Sequence, residues 1–427
     1  MTKSSISQTE DLRTLLEMLE QDIPAFLEPF ASHETHGPSL KSLDSPYFGA
    51  TSVAEGVGAA PKRRIIHTCE KIVAVLQGPT VKLTMDASGH LTSAVISIAV
   101  NLRLPHLISS DVDKPTMLDE LVKATSASPD LLTRVLRYLT QRFIFEEPKP
   151  SCYVQNIMSK ALAEPVTEAW TDLIATEYHR GSAALLDLLL DNKFDIPPES
   201  QPSALTKALG SEQSFYDYMR LENPDLGRKY ALSMSAPSHG PHTLYPYAQL
   251  PAGSFVVDVG GGSGHITAPL ARLYPKLKFV VQDSADTIVY GQSVYGSEGL
   301  PIDWQTVNFF KEQPVKSAKV YLLRHVLVDH PDRTSLQVLN CIANAMDEDS
   351  RLLIADAIVP DQYGEDSDSL LNVLDLHLLC MFNSKERSLG QWKELLESVE
   401  KDLEIVKVWR TDDSMGQEAL MEIKLKG

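Results

Sequence analysis

Cysteine is scarce in this sequence, with four residues in 427, at Cys69, Cys152, Cys341 and Cys380. They are scattered, with neither the paired spacing of a disulfide framework nor the close pairs of a zinc site, so reduced thiols and no metal are expected. Long apolar runs are missing too. Hydrophobic residues make up 43% of the chain, yet no run approaches the roughly 18 residues that span a bilayer, and no membrane partner is expected. Positive charge is in deficit: 39 Lys and Arg stand against 57 Asp and Glu, a formal charge of −18. Phosphate binding needs a concentrated basic surface, so nucleic acid is not expected as the main partner. The first residues, MTKSSISQTEDLRTLLEMLEQ, lack the basic-then-apolar layout of a secretory signal, and a cytoplasmic address is expected.

A chain of 427 residues suits two domains and an additional arm. Leu12, Leu15, Leu16, Leu19, Ile23, Phe26 and Phe30 recur at helical spacing, so residues 1–62 are expected to hold a helical arm and a Ser, Gly and Pro-rich connector. An apolar stripe on an otherwise acidic helix needs a surface to lie against: a second subunit or its own domain. Residues 63–235 are mainly helical in pattern. Within them, MLDELVKATSASPDLLTRVLRYLTQRFIFEE predicts two short helices about a turn at Ser126 to Asp130, followed by a small wing. Arg134, Arg137 and Arg142 would line the second helix, a DNA-binding feature outweighed by the acidic remainder. A hinge is expected around Pro237 to Pro246.

Residues 236–427 change texture. SFVVDVG, KFVVQD, DWQTVNF, KVYLLRH and RLLIADAIV are apolar strands separated by helical patterns, as in a parallel sheet covered on both faces. LEIVKVWRT and EALMEIKLK predict a closing antiparallel hairpin. The first strand runs into VVDVGGGSGHITAPLARLYP, where Asp258, Gly260, Gly262 and Gly264 open a helix. Glycines there permit a tight turn and close approach of backbone N–H groups to a nucleotide. His265 occupies the place of the last glycine in the dinucleotide fingerprint. The second strand ends at Asp283, nineteen residues after Gly264, placed to accept from ribose hydroxyls.

With the motifs VDVGGGSG, VVQD, VNFF, YLLRHVLVDHPD, LLIADAIVPD and FNSKERSLGQW, the chain from about Arg63 to Lys426 resembles the class I S-adenosylmethionine (SAM) dependent methyltransferases. It is most similar to the plant and fungal small-molecule O-methyltransferases. The resemblance implies an α/β fold: a Rossmann-like SAM-binding domain behind a mainly helical winged-helix dimerisation domain, assembled as a homodimer. It also implies that Gly260 and its neighbours hold the methionine end of SAM and Asp283 the ribose. Asn308, where the family commonly has Asp, and Phe309 would flank the adenine, with Arg324 beside the cofactor.

In that family the corner after the fourth strand reads like RHVLHDWPD, and its second histidine takes the proton from the hydroxyl being methylated. Here the position is Val328. Asp356 and Glu386 match the acidic residues that orient the base, so the scaffold is retained without the group it orients. A positioned base contributes about 10²- to 10⁴-fold, and its loss costs roughly 3–5 kcal/mol of barrier. His330 and His377 are candidate substitutes; Asp329 adjoins the gap but is expected on a different side of the chain. The swap also resembles fungal methyltransferase-like pericyclases, in which no net proton transfer is needed. Asp329, Asp356, His377 and Glu386, around an apolar Val328, would then orient a carbonyl or help water leave. The expectation from sequence is therefore a SAM-binding pericyclase or dehydrating cyclase acting on a small natural product, with an O-methyltransferase as the alternative.

Overall fold

The computed structural model describes residues 8–32, 38–41, 59–197, 201–235, 240–364, 369–410 and 418–426. Most of the expected connector, and Pro237 to His239 of the expected hinge, lie outside them. Two compact units emerge: residues 1–179 with 364–367, and residues 180–363 with 368–427. Residues 180–235, grouped by sequence with the helical domain, thus fold with the sheet unit. Helical periodicity reports that one face of a helix is covered but not by which core.

In the first unit the arm is a helix, Gln8–Ser32, paired with a second, Ala59–Ala87, which breaks at Gly78 before Pro79. Pro79 lacks the N–H that would continue the helix, and Gly78 takes a left-handed φ of 71°. Leu15 and Phe30 are buried, and Arg64 pairs with Asp22 at 2.6 Å. Leu16, Ile23 and Leu27 of the first helix and Val73, Leu76, Val81 and Leu83 of the second stay exposed. The winged helix follows as Leu118–Thr125 and Pro129–Gln141, the latter capped by the Ser128 hydroxyl, which accepts from the Leu131 N–H. Strands Phe145–Lys149 and Cys152–Gln155 form the wing with Thr116–Met117. Leu121, Leu132, Leu136, Leu139 and Phe145 are its core. Arg134 is paired with Asp130, and Arg142 lies over the Tyr138 ring.

The second unit is built on five parallel strands in chain order: Phe255–Val259, Lys278–Asp283, Ile302–Thr306, Val320–Arg324 and Arg351–Val359. In space they run third, second, first, fourth, fifth. The closing strands Leu403–Arg410 and Glu418–Leu425 add an antiparallel hairpin beside the fifth, as the sequence pattern predicts. Alternate residues feed the two faces: Val257, Val259 and Leu323 pack with Leu339 and Trp392, while Val256 and Leu322 pack with Leu270 and Phe279. The strand order reverses between the first and fourth strands, and both the glycine loop and the Val328 corner leave the carboxyl ends there. Open α/β sheets bind ligands at such a reversal.

Candidate active site

The glycine loop needs its glycines. Gly260, Gly262 and Gly264 have φ of 72°, 58° and 77°, the left-handed region that residues with a Cβ rarely adopt. A Cβ on Gly260 would stand 2.8 Å from Val326 Cγ2, and one on Gly264 would stand 2.6 Å from the Trp304 ring. The loop is therefore pressed against the fourth-strand exit on one side and the third strand on the other.

Asp258 underlies this loop. It is 3% exposed, accepts a hydrogen bond from the Thr267 hydroxyl, and would meet a Cβ on Gly261 at 2.6 Å. Burial pushes its pKa up to about 6 against the opposing bond from Thr267. Asp283 faces the loop from the second strand: its Oδ2 accepts from the Gly262 N–H at 3.0 Å and its Oδ1 from the Ser284 N–H at 2.7 Å. Arg324 donates through Nε to Glu418 Oε1 at 3.1 Å. His265 is held neutral by burial, which lowers its pKa to about 4, with Arg324 adding to the effect. Two carboxyls, a neutral imidazole and an arginine paired with Glu418 suit a ligand that carries a sulfonium and ribose hydroxyls. Asn308, expected to flank the adenine, accepts at Oδ1 from the Phe310 N–H at 3.0 Å. The Phe309 ring borders Gly260, 3.7 Å from where a Cβ would stand.

The second half of the site is the turn Leu327–Asp329 after the fourth strand. Val328 is buried there. The shape of the turn is held by Arg387, which is fully buried and donates to the carbonyls of Leu327 and His330 and to Asp332. Arg387 pairs with Ile358 as a two-residue strand alongside the fifth, which brings Glu386 and Asp356 into one neighbourhood.

Asp356 is fully buried, and neither carboxylate oxygen has a hydrogen-bond partner. Burial, then the charge of Glu386, holds its pKa well above the usual range. Glu386 leaves Oε2 without a partner, and burial followed by Asp375 and Asp329 pushes its pKa up to about 7. Asp329, expected on another side of the chain, belongs to the same group. Its charge acts on both Asp356 and Glu386. Burial pushes its own pKa up to about 7, opposed by a hydrogen bond from Tyr216. His377 lies on the helix Ser369–Phe382, which packs against the turn. Burial lowers its pKa.

Residues from the helices Phe215–Leu221 and Pro224–Ser233 complete the site, and sequence reasoning missed them. The Tyr216 hydroxyl donates to Asp329 Oδ2, and the Tyr230 hydroxyl lies 3.3 Å from it. The Tyr216 ring stacks on Phe382 with centroids 5.5 Å apart. His330, a candidate base, is packed among Phe309, Phe310 and Tyr216, and burial lowers its pKa to about 4. The only sequence signal was the run of tyrosines in SFYDYMRLENPDLGRKY, which reads equally well as core. Among the described residues no group of His, Cys, Asp and Glu is arranged to hold a metal, and no helix is long and apolar enough to cross a membrane.

Known proteins resemble this chain in sequence and in fold. A family profile described as an O-methyltransferase domain matches residues 220–399, and one described as an O-methyltransferase dimerisation domain matches residues 86–165. O-methyltransferase xanE of Aspergillus fumigatus is 34% identical over 434 residues, covering 98% of each chain. Sterigmatocystin 8-O-methyltransferase of Aspergillus parasiticus is 35% identical over 349 residues, covering 81% of this chain and 82% of that one. A solved structure titled as a pericyclic reaction enzyme superposes with a TM-score of 0.76 at 24% identity, over 86% of this chain and 95% of that one, a likeness of fold. The chain belongs to the O-methyltransferase family: a class I methyltransferase fold with an N-terminal helical dimerisation domain, and S-adenosylmethionine as its cofactor.

Proposed function

We propose that this enzyme methylates a hydroxyl of a small aromatic natural product, with Asp329 receiving the proton that the family's histidine would take. The observation that carries this reading is the Asp329 carboxyl itself. It adjoins Val328, accepts a hydrogen bond from Tyr216, and has a pKa raised to about 7. A base is most effective when its pKa lies near the working pH, and a carboxyl at that value is half ionised there. Bound SAM would supply an electrophilic methyl group. Asp329 takes the proton as the substrate oxygen gains the methyl group, and the Phe382 ring, on the helix packed against the turn, offers a face to an aromatic substrate. The names of the two fungal relatives agree with this chemistry.

A second reading is favoured by a different observation. Val328 leaves Asp356 and Glu386 without an imidazole between them, and their unpartnered oxygens with raised pKa suit protonated donors to a carbonyl or a departing hydroxyl. That is the chemistry of a dehydrating cyclase or pericyclase with SAM bound. The two readings part in one assay, in which labelled SAM and hydroxylated polycyclic aromatics are incubated with the enzyme. Methyl ether and S-adenosylhomocysteine in equal amounts support methyl transfer; cyclised product without S-adenosylhomocysteine overturns it. For either reaction we propose a cytoplasmic homodimer, supported by the dimerisation profile and the exposed apolar residues of the first two helices. We propose that the chain is organised as an arm and connector at residues 1–62, a helical dimerisation domain from residue 63, and a SAM-binding domain through residue 427 with which residues 180–235 fold.

A further inference from the structure

We infer that Tyr216, backed by Tyr230, is a positioning residue that keeps the Asp329 carboxylate ionised and aimed for proton transfer. The inference rests on the reading of Asp329 as proton acceptor. Asp329 stands at the end of a short turn, and nothing on its own element holds its carboxylate. Its hydrogen-bond partner, Tyr216, comes from 113 residues earlier in the chain.

The geometry has a direction. Tyr216 has one hydroxyl proton and gives it to Asp329 Oδ2. The Tyr216 oxygen can then accept from Tyr230, 3.3 Å away. A bond received at the Tyr216 oxygen polarises the bond it donates, so the pair acts together on the carboxylate. The Tyr216 ring is clamped for this task, stacked on Phe382 and set edge-on to Tyr230 at 6.0 Å.

The other groups around Asp329 favour its protonated form or are neutral. Asp356 from the fifth strand and Glu386 from the adjoining bridge are carboxyls with raised pKa, and neither offers a positive charge. His330 on its own corner is neutral, as is His377 on the helix packed against the turn, which also carries Asp375. Arg387 beneath the corner spends its donors on Asp332, Ser335 and the carbonyls of Leu327 and His330. Tyr216 is thus the group that opposes burial at Asp329. A carboxyl left protonated cannot accept a proton, so removing this one bond should move the reaction's pH range and leave the catalytic groups in place.

The test uses the full-length Tyr216→Phe variant and two readouts. In the first, the Asp329 carboxyl is titrated by carbon-13 NMR of aspartate-labelled protein, its signal assigned by its absence in Asp329→Asn. In the second, kcat/KM is measured against pH with whichever hydroxylated polycyclic aromatic the wild type turns over. We expect the carboxyl midpoint and the acidic limb of the rate profile to rise together by about one pH unit, with the alkaline plateau retained. Tyr230→Phe should shift both the same way by less, and it serves as the test if Tyr216→Phe does not fold. An unmoved carboxyl midpoint, or an equal loss of rate at every pH, overturns the inference. Full activity in Asp329→Asn would instead remove Asp329 as the base, an outcome distinct from an unmoved carboxyl midpoint in Tyr216→Phe.

Discussion

Arg387 Nη1 donates to the carbonyl oxygen of Leu327 at 2.9 Å, tying the bridge beside the fifth strand to the turn that carries Val328 and Asp329. The same guanidinium reaches His330 O and Asp332 at 2.8 Å and lies over the Trp392 ring. A planar fork is needed for all of these at once, which an ammonium cannot match. Arg387→Met should cost about 3–5 kcal/mol, because Asp332 and two carbonyls lose their donor, and Arg387→Lys should recover only part of it. Chemical denaturation of both variants checks the ranking.

Asp283 holds the Gly262 N–H as well as facing the expected ribose site. Asp283→Ala should therefore weaken SAM binding by roughly 1–3 kcal/mol through lost charge-assisted bonds. Calorimetry with SAM is the measurement, and an unchanged affinity would remove Asp283 from the cofactor site.

Gly260→Ala meets two obstacles, the left-handed φ of 72° and Val326 Cγ2 at 2.8 Å. We expect a loss of at least about 1 kcal/mol in stability together with loss of SAM binding. Adding Val326→Ala should relieve the contact but not the backbone strain, so the double variant should recover only in part. Thermal melts with and without SAM distinguish the two contributions.

Val328→His would place an imidazole beside Asp356 and Glu386, whose free oxygens can accept its N–H. For a methyltransferase this should restore a second base, raising S-adenosylhomocysteine formation and rescuing Asp329→Asn by about tenfold or more. For a cyclase the same ring would crowd and polarise an apolar wall and slow the native reaction. Following both products in the single and double variants separates these outcomes.

Glu386 predicts a pH dependence of stability with a definite sign. Its folded pKa of about 7 exceeds its ordinary 4.5, so the folded state holds more protons between those values and stability falls as pH rises through that window. Glu386→Gln removes the liability. The variant should match wild type near pH 4 and exceed it at pH 8 by on the order of 1–3 kcal/mol, read from urea midpoints.

Much of this enzyme is written locally. The glycine loop, the acidic ends of the first two strands, the winged helix and the closing hairpin follow from short-range patterns, because φ preferences, strand alternation and helix capping act within a few residues. The valine where the family has its base is equally a fact of sequence. Packing decided the rest. It used the Asn308 oxygen in a turn, set Asp258 beneath the loop, joined residues 180–235 to the sheet unit and laid Tyr216 against Asp329. A hydrogen bond between groups 113 residues apart leaves no periodic trace in either segment. Nor does the pKa of a carboxyl, which depends on how much water the surrounding fold excludes. Sequence alone therefore determined which chemical groups this protein possesses and which one it lacks. The tertiary structure decided which of those groups meet in a water-poor site, because burial and orientation belong to the packed chain as a whole.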